Sequence, residues 1–430
     1  MTDTVRRAGR GFGRIVAALG LAAAFAVAPQ PAKSQELTMW SHWAAEQIKR
    51  KFVEDAIERF EKANPGVKIK PTWYEKTALY AALKTALRAG TAPDLIYAEP
   101  DQAEYYENGL LLDLADVNWG NVEPWAKQAW AYKGKAYGLP LEAWTVEIYY
   151  NKKLMADLGV TVPASLQFSA EQFLDVVKKA KAKGITPLAI GVGDRPFPGA
   201  HLTHEALVKK LGVGDYDKLL KGKLPWTDPR VVDTLKYVRS LVDAGALPNT
   251  FTSLKLGEAH TYFHTNPGAL MFLNGSWYTS RAFNEPDKGG QPKDFPLGIM
   301  KFPAMAGGAC NECKTLAAGG SYVVNAATKH PKQAVAFLNS MATPEVGNIW
   351  LQNVLVQTGI KSDASKITGP HAGYFKNLEA VNTGTTYYFG IPIQVLSGKP
   401  KEVFTQVFNN AFPAGTISVE DAIKQMSAAY

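Results

Sequence analysis

The sequence predicts an α/β protein of two lobes, each a mainly parallel sheet flanked by helices, and three observations predict it. Strand and helix signals alternate along the chain. The alternation restarts after Asn151, and no repeat, low-complexity tract or long flexible linker separates the two stretches. Of the 430 residues, roughly 396 remain beyond an apolar leader, more than one ordinary core holds.

The elements follow in order. Leu37 to Trp40 reads as a strand. Ile48, Phe52, Val53, Ile57 and Phe60 recur at helical spacing until Asn64-Pro65-Gly66 stops the helix. Val67, Ile69 and Pro71 alternate with Lys68 and Lys70, a second strand. Leu79 to Ala89 is helical and ends at Gly90, a favoured C-terminal cap. Asp94 to Ala98 is a third strand, and the β-α-β-α-β order implies parallel pairing. In the second stretch Ser169 with Gln172 makes a capping box ahead of a stripe of Phe173, Val176, Val177 and Ala180. Leu188 to Ile190 is a strand. Asp228-Pro229 is an N-cap followed by proline at the first helical position. Ala269 to Leu273 reads as one buried strand, Ser321 to Asn325 as another, and Pro331 to Met341 as a helix.

Arg6, Arg7, Arg10 and Arg14 precede an apolar run from Ile15 to Ala28, the pattern of an export signal. The run is short of the ~20 residues that cross a bilayer as a helix. Small residues at Ala32 and Ser34 place the expected cut before Gln35, and a periplasmic location follows. Five basic residues and one acid lie in residues 1–34, so the net charge of +8 drops to about +4. Without a run of basic residues or a basic stripe, nucleic acid is not an expected partner. The two cysteines, Cys310 and Cys313, are expected to pair in an exported chain. Their Gly-rich flanks argue against a redox pair at a helix start, and a zinc site needs two more ligands.

Candidate binding residues come from strand ends, where open α/β sheets bind ligands. Trp277 sits just past the Ala269–Leu273 strand, behind Asn274-Gly275-Ser276. An indole there offers a flat apolar face with one N–H at its edge, suited to a sugar ring. A core tryptophan is the alternative. Trp40-Ser41-His42-Trp43 follows the first strand, with Trp43 expected to face a cleft and Trp40 to be at least half-buried. Glu99 and Asp101 follow the third strand, where carboxylates accept paired bonds from vicinal hydroxyls; a solvated acidic loop is the alternative.

The chain resembles the extracellular solute-binding proteins, family 1, of sugar ABC importers, which include maltose- and glycerol-phosphate-type binders. The likeness spans nearly all of residues 35–430 and rests on ordered landmarks. These are Ala63-Asn64-Pro65-Gly66-Val67, Ala89 to Ile96, Glu107-Asn108-Gly109-Leu110-Leu111, Tyr137-Gly138-Leu139-Pro140, Tyr149-Tyr150-Asn151-Lys152, Gly268 to Trp277, Gly319-Gly320-Ser321-Tyr322 and Thr343-Pro344-Glu345. It implies the two-lobed periplasmic-binding-protein fold, with crossings near Glu142–Ile148, Leu297–Pro303 and Val356–Lys361. One lobe is then 35–145 with 302–356, the other 146–301 with 357–430. It also implies a sugar ligand, membrane permease subunits as partners, a monomer, no cofactor and no catalysis. Glu142 and Trp144 flank the first crossing, although some relatives carry an acid at the position of Trp144. Asp194 and Arg195 follow the Leu188–Ile190 strand, and could equally form a surface ion pair. Gly319-Gly320 would let backbone N–H groups approach the ligand, and Tyr388 stands where the family often presents a late aromatic.

Two other readings stay open. His260 with His264, and His201 with His204, have spacings that can hold a metal, but His-Glu-x-x-His is absent. A secreted carbohydrate-active enzyme would pair two carboxylates across a cleft, and a polyol or phosphodiester ligand would call on Arg195.

Overall fold

A computed structural model describes residues 35–195, 197–265 and 268–430. The expected export signal, residues 1–34, lies outside them. Among the described residues no helix is long and apolar enough to cross a membrane.

Two sheets organise the chain. The strands in order are β1 (Gln35–Ser41), β2 (Val67–Trp73), β3 (Leu95–Ala98), β4 (Ala131–Tyr132), β5 (Lys135–Ala136), β6 (Gly138–Pro140), β7 (Ala143–Asn151), β8 (Thr186–Leu188), β9 (Ala269–Gly275), β10 (Leu297–Met300), β11 (Cys313–Ala318), β12 (Ser321–Val324) and β13 (Thr386–Phe389). The first sheet runs β2-β1-β3-β12-β6, and the second β13-β11-β7-β9-β8 with β10 also on β7. Helices cover both, so the two-lobed α/β architecture stands.

The sheets are mixed rather than mainly parallel. β1 pairs in parallel with β2 and β3, but β12 runs antiparallel to β3 and β6. In the second sheet β7 runs antiparallel to β9, β10 and β11. β7 and β12 each arrive directly from the other sheet, over Leu141-Glu142 and Gly319-Gly320, without the crossover helix that parallel pairing needs.

The lobe boundary also moves. β11, expected in the first lobe, pairs with β7 and β13 in the second. β10 lies inside the second sheet, so the crossing expected at 297–303 sits instead at Gly319-Gly320, between β11 and β12. The first crossing is Leu141-Glu142, between β6 and β7. At the third, the Gln357 carbonyl accepts from the Ala143 N–H and the Gly359 carbonyl from the Glu123 N–H.

Local signals act as expected. Gly90 takes φ +69° to close the helix Lys76–Ala89. Ser169 and Gln172 form the capping box of Ala170–Ala182, and the Asp228 side chain caps Pro229–Asp243. β9 is buried along its whole length. Gly212 kinks His201–Leu220 at φ +72°, a conformation glycine adopts readily, while the π-helical turn at Val407–Ala411 carries no local signal.

Candidate functional site

A cavity of about 340 Å³ lies where the two sheets' connecting segments meet. On the first-lobe side, β1 ends at Ser41 and the next turn carries His42 and Trp43 into the wall. Trp43 takes φ +80°, a conformation rare for a bulky residue. This folds its indole inward, edge-on to Tyr97 at 5.3 Å and tilted against Trp350 at 5.9 Å. Trp43 is 1 % exposed, whereas Trp40 is half-buried against Tyr74.

Gly320 stands behind this wall rather than in it. A Cβ there would sit 2.5 Å from the Trp43 ring and 2.8 Å from Tyr97. Its N–H donates to Glu142 Oε2 at 3.2 Å, so it makes room for the indole instead of meeting a ligand.

Buried charges are arranged in two groups. Lys49 Nζ lies 2.6 Å from Glu142 Oε1 and 2.9 Å from Glu46 Oε2. Glu46 also faces His42 at 3.3 Å and Arg281 at 3.4 Å. Burial would raise the Glu46 carboxyl, but Lys49 and Arg281 outweigh it and hold it well below the usual range. At Glu142 burial wins over Lys49, and the carboxyl is raised. Burial likewise drives the His42 imidazole down to about 4.

The second group is Glu99, Lys76 and Asp101. Glu99 pairs with Lys76 and accepts from the Tyr97 hydroxyl at 2.6 Å. Burial opposes ionisation of Glu99, yet Lys76 and these bonds keep it below its ordinary value. Asp101, buried and beside the Glu99 charge, is pushed up to about 6. Its Oδ1 has no hydrogen-bond partner among the described residues.

The second-lobe wall is built on β9. After Gly275 a short turn, Ser276–Tyr278, presents Trp277 to the cavity. Trp144 meets Trp277 edge-on at 4.6 Å, and Phe197 adds a third ring at 5.8 Å. The Trp277 Nε1 is buried without a partner among the described residues. Asp194 and Arg195 line the cavity but form no ion pair with one another; Asp194 Oδ1 instead accepts from the Leu256 N–H at 2.8 Å.

Nine of the eleven expected ligand-contact residues therefore line one cavity: His42, Trp43, Glu99, Asp101, Glu142, Trp144, Asp194, Arg195 and Trp277. Gly320 supports it, and Tyr388 is elsewhere. Tyr388 packs edge-on to Tyr216 at 4.9 Å and donates to Asp217 at 3.3 Å. The cavity takes Ile391, Ile393 and Gln394 from the segment just after β13 instead.

Sequence reasoning missed Lys49, Lys76, Tyr80, Arg281, Lys401 and Asn409 in the lining. Three of these link the lobes. Lys401 Nζ donates to the Asp101 carbonyl at 2.7 Å, Arg281 faces Glu46, and Lys76 lies 6.0 Å over the Phe197 ring.

Each of the four paired histidines has one ring nitrogen engaged within the fold. His264 Nε2 lies 2.6 Å from the Tyr278 hydroxyl, His260 Nε2 lies 3.3 Å from the Asn274 amide, and His201 Nδ1 lies 2.9 Å from His204 Nε2. Cys310 and Cys313 form a disulfide with their Cα atoms 5.2 Å apart.

Solved structures share this architecture. A chitin oligosaccharide binding protein superposes with a TM-score of 0.77 at 23 % identity, over 91 % of this chain and 97 % of that one. RafE in complex with raffinose gives 0.70 at 23 %, over 92 % and 99 %. By sequence, the chain is 28 % identical to the multiple sugar-binding protein of Streptococcus mutans over 297 residues, 67 % of each chain. It is 24 % identical to the alpha-glucosides-binding periplasmic protein of Rhizobium meliloti over 380 residues, 83 % of this chain and 79 % of that one. The family model described as bacterial extracellular solute-binding protein matches residues 44–348. With its strand-end indoles gathered round one interlobe cavity, the chain belongs to the bacterial extracellular solute-binding proteins.

Proposed function

We propose that this protein captures an uncharged sugar between its lobes and hands it, unaltered, to the membrane permease of an ABC importer. One observation carries the reading: aromatic walls surround buried polar groups that have nothing to bond to. Trp277 Nε1, Arg281 Nη1, Tyr80 Oη and Asp101 Oδ1 all belong to lining residues and lack partners among the described residues. A buried polar atom left unpaired costs about 1–3 kcal/mol. A guest with several hydroxyls donates to Asp101 and accepts from Trp277 and Arg281, recovering that cost. The indole faces cover the C–H faces of its ring.

The lining charges favour a neutral guest. Lys49, Lys76, Arg195, Arg281 and Lys401 are matched by Glu46, Glu99, Asp101, Glu142 and Asp194. A phosphodiester would need surplus positive charge. A glycosidase would need a free acid facing a free base or nucleophile, whereas Glu142 and Glu99 are each bound to a lysine. The relatives named for sugars support the same choice. Membership of an extracellular family supports a periplasmic or secreted location.

A thermal-shift screen tests this, with mono-, di- and trisaccharides, polyols and glycerol phosphodiesters, each recovered and analysed afterwards. A sugar that raises the melting temperature and is recovered intact supports the reading, because ligand bound to the native state stabilises it. Stabilisation by phosphodiesters alone, or turnover of the sugar, overturns it.

A further inference from the structure

Asn409 is a buried amide without a task in the folded chain. It sits in the π-helical turn Val407–Ala411, lines the cavity and is 1 % exposed. Its Oδ1 is buried and has no hydrogen-bond partner among the described residues. Gln394, on the same cavity, differs: its Nε2 donates to the Ala318 carbonyl at 2.8 Å.

The turn that holds Asn409 is fixed in place. Any Cβ on Gly199 would overlap the Asn409 backbone carbonyl. The Phe197–Ala200 turn, which carries the Phe197 ring to the cavity, is thus packed directly against this backbone. π-helical turns in proteins occur frequently at functional sites. Buried amides are almost always hydrogen-bonded, so an idle one on a cavity wall marks a position that a ligand completes.

A carboxamide places one acceptor and one donor side by side in a plane. Two neighbouring hydroxyls on a sugar ring match it: one donates to the oxygen, the other accepts from the nitrogen. Inverting either hydroxyl swings it out of that plane. We propose that Asn409 is a specificity-determining residue of this cavity, reading an adjacent pair of ring hydroxyls. The proposal rests on the sugar reading above and deepens it.

The test is calorimetry on the protein and on Asn409→Leu and Asn409→Asp, with D-glucose, D-galactose, D-mannose, D-xylose, maltose and trehalose as probes. Monodeoxy derivatives of each sugar that binds complete the set. The leucine variant should keep the ligand-free melting temperature, because the amide oxygen has no partner there among the described residues. It should lose about 10–100-fold in affinity for the parent sugar, the scale of one or two hydrogen bonds. For a monodeoxy derivative lacking a hydroxyl that Asn409 reads, that loss should shrink. Parent binding within twofold of the unmodified protein overturns the proposal. So does a leucine loss of the same size for every monodeoxy derivative, which marks a merely structural residue. Wild-type protein that binds none of the probes overturns the sugar reading, and the role of Asn409 falls with it.

Discussion

Trp277 and Asp101 show what a single side chain contributes here. The Trp277 ring is packed against Trp144 and Phe197, and its buried Nε1 has no hydrogen-bond partner among the described residues. Trp277→Ala should weaken sugar binding by roughly 1–3 kcal/mol, as for aromatic anchors in buried sites; unchanged affinity by calorimetry would make it a packing residue. Asp101 gives a pH signature. Burial and Glu99 raise its pKa to about 6 in the free protein. A hydroxyl donating to its carboxylate favours the ionised form, so affinity should fall as pH drops from 7.5 through 6. Asp101→Asn should flatten that slope, and a slope of equal size in the variant would count against it. These two residues were legible because each follows a strand of clear pattern. Lys76, Tyr80, Arg281 and Lys401 were not, because a charged or aromatic side chain on an amphipathic helix looks the same whether it faces solvent or a cleft. Tyr388 failed for a related reason: neighbouring residues on a strand point to opposite faces, and an isolated Tyr-Tyr pair does not say which face is the cleft.

The informative element is the crossing at Gly319-Gly320. It joins β11 of one sheet to β12 of the other, and its second glycine lies under Trp43, Tyr97 and Glu142. Adding one methyl group there forces the Trp43 ring outward. Gly320→Ala should therefore lower stability by about 1–3 kcal/mol, the range for overpacked cores, and reduce affinity as well; denaturant unfolding with calorimetry would show both. Loss of neither would mean the indole yields freely. The strands, caps and helix stops around this crossing were readable because they are local: Gly90, Ser169 with Gln172, and Asp228-Pro229 each act within one turn of chain. The placement of β10 and β11 was not. Their antiparallel pairing with β7 joins segments about 150 to 175 residues apart in the chain, and no local pattern encodes such a partner.

Across the whole molecule, buried histidines set the acid limit. Burial lowers His42 and His264 to about 4, and burial drives His201 and His260 well below 6.5, with Arg281 adding to it at His260. All four are neutral in the fold, while the unfolded chain protonates them below about 6.5. Their contribution is complete above that value and is lost as pH falls toward 4. Asp101 and Glu142 act oppositely, since a carboxyl raised by burial relieves a cost as it protonates, but they are two groups against four. The melting temperature should therefore fall steadily from pH 7 to pH 4.5; a flat or rising profile would show that these rings protonate freely. Two lobes and a cleft were visible in the ordered landmarks. That the cleft is closed by its own lining was not, because it depends on side chains from opposite halves.

That closure has a consequence. Lys401 on Asp101, Arg281 on Glu46 and Lys76 over Phe197 are at once fasteners of the jaws and walls of the chamber. A guest that competes for any of these groups loosens the clasp it is meant to trigger. One that slots between them leaves the clasp intact and adds its own grip. If the cavity takes a sugar as proposed, shutting and cargo fit draw on the same ammonium and guanidinium groups, so a molecule of the wrong outline would meet a mouth that does not stay shut.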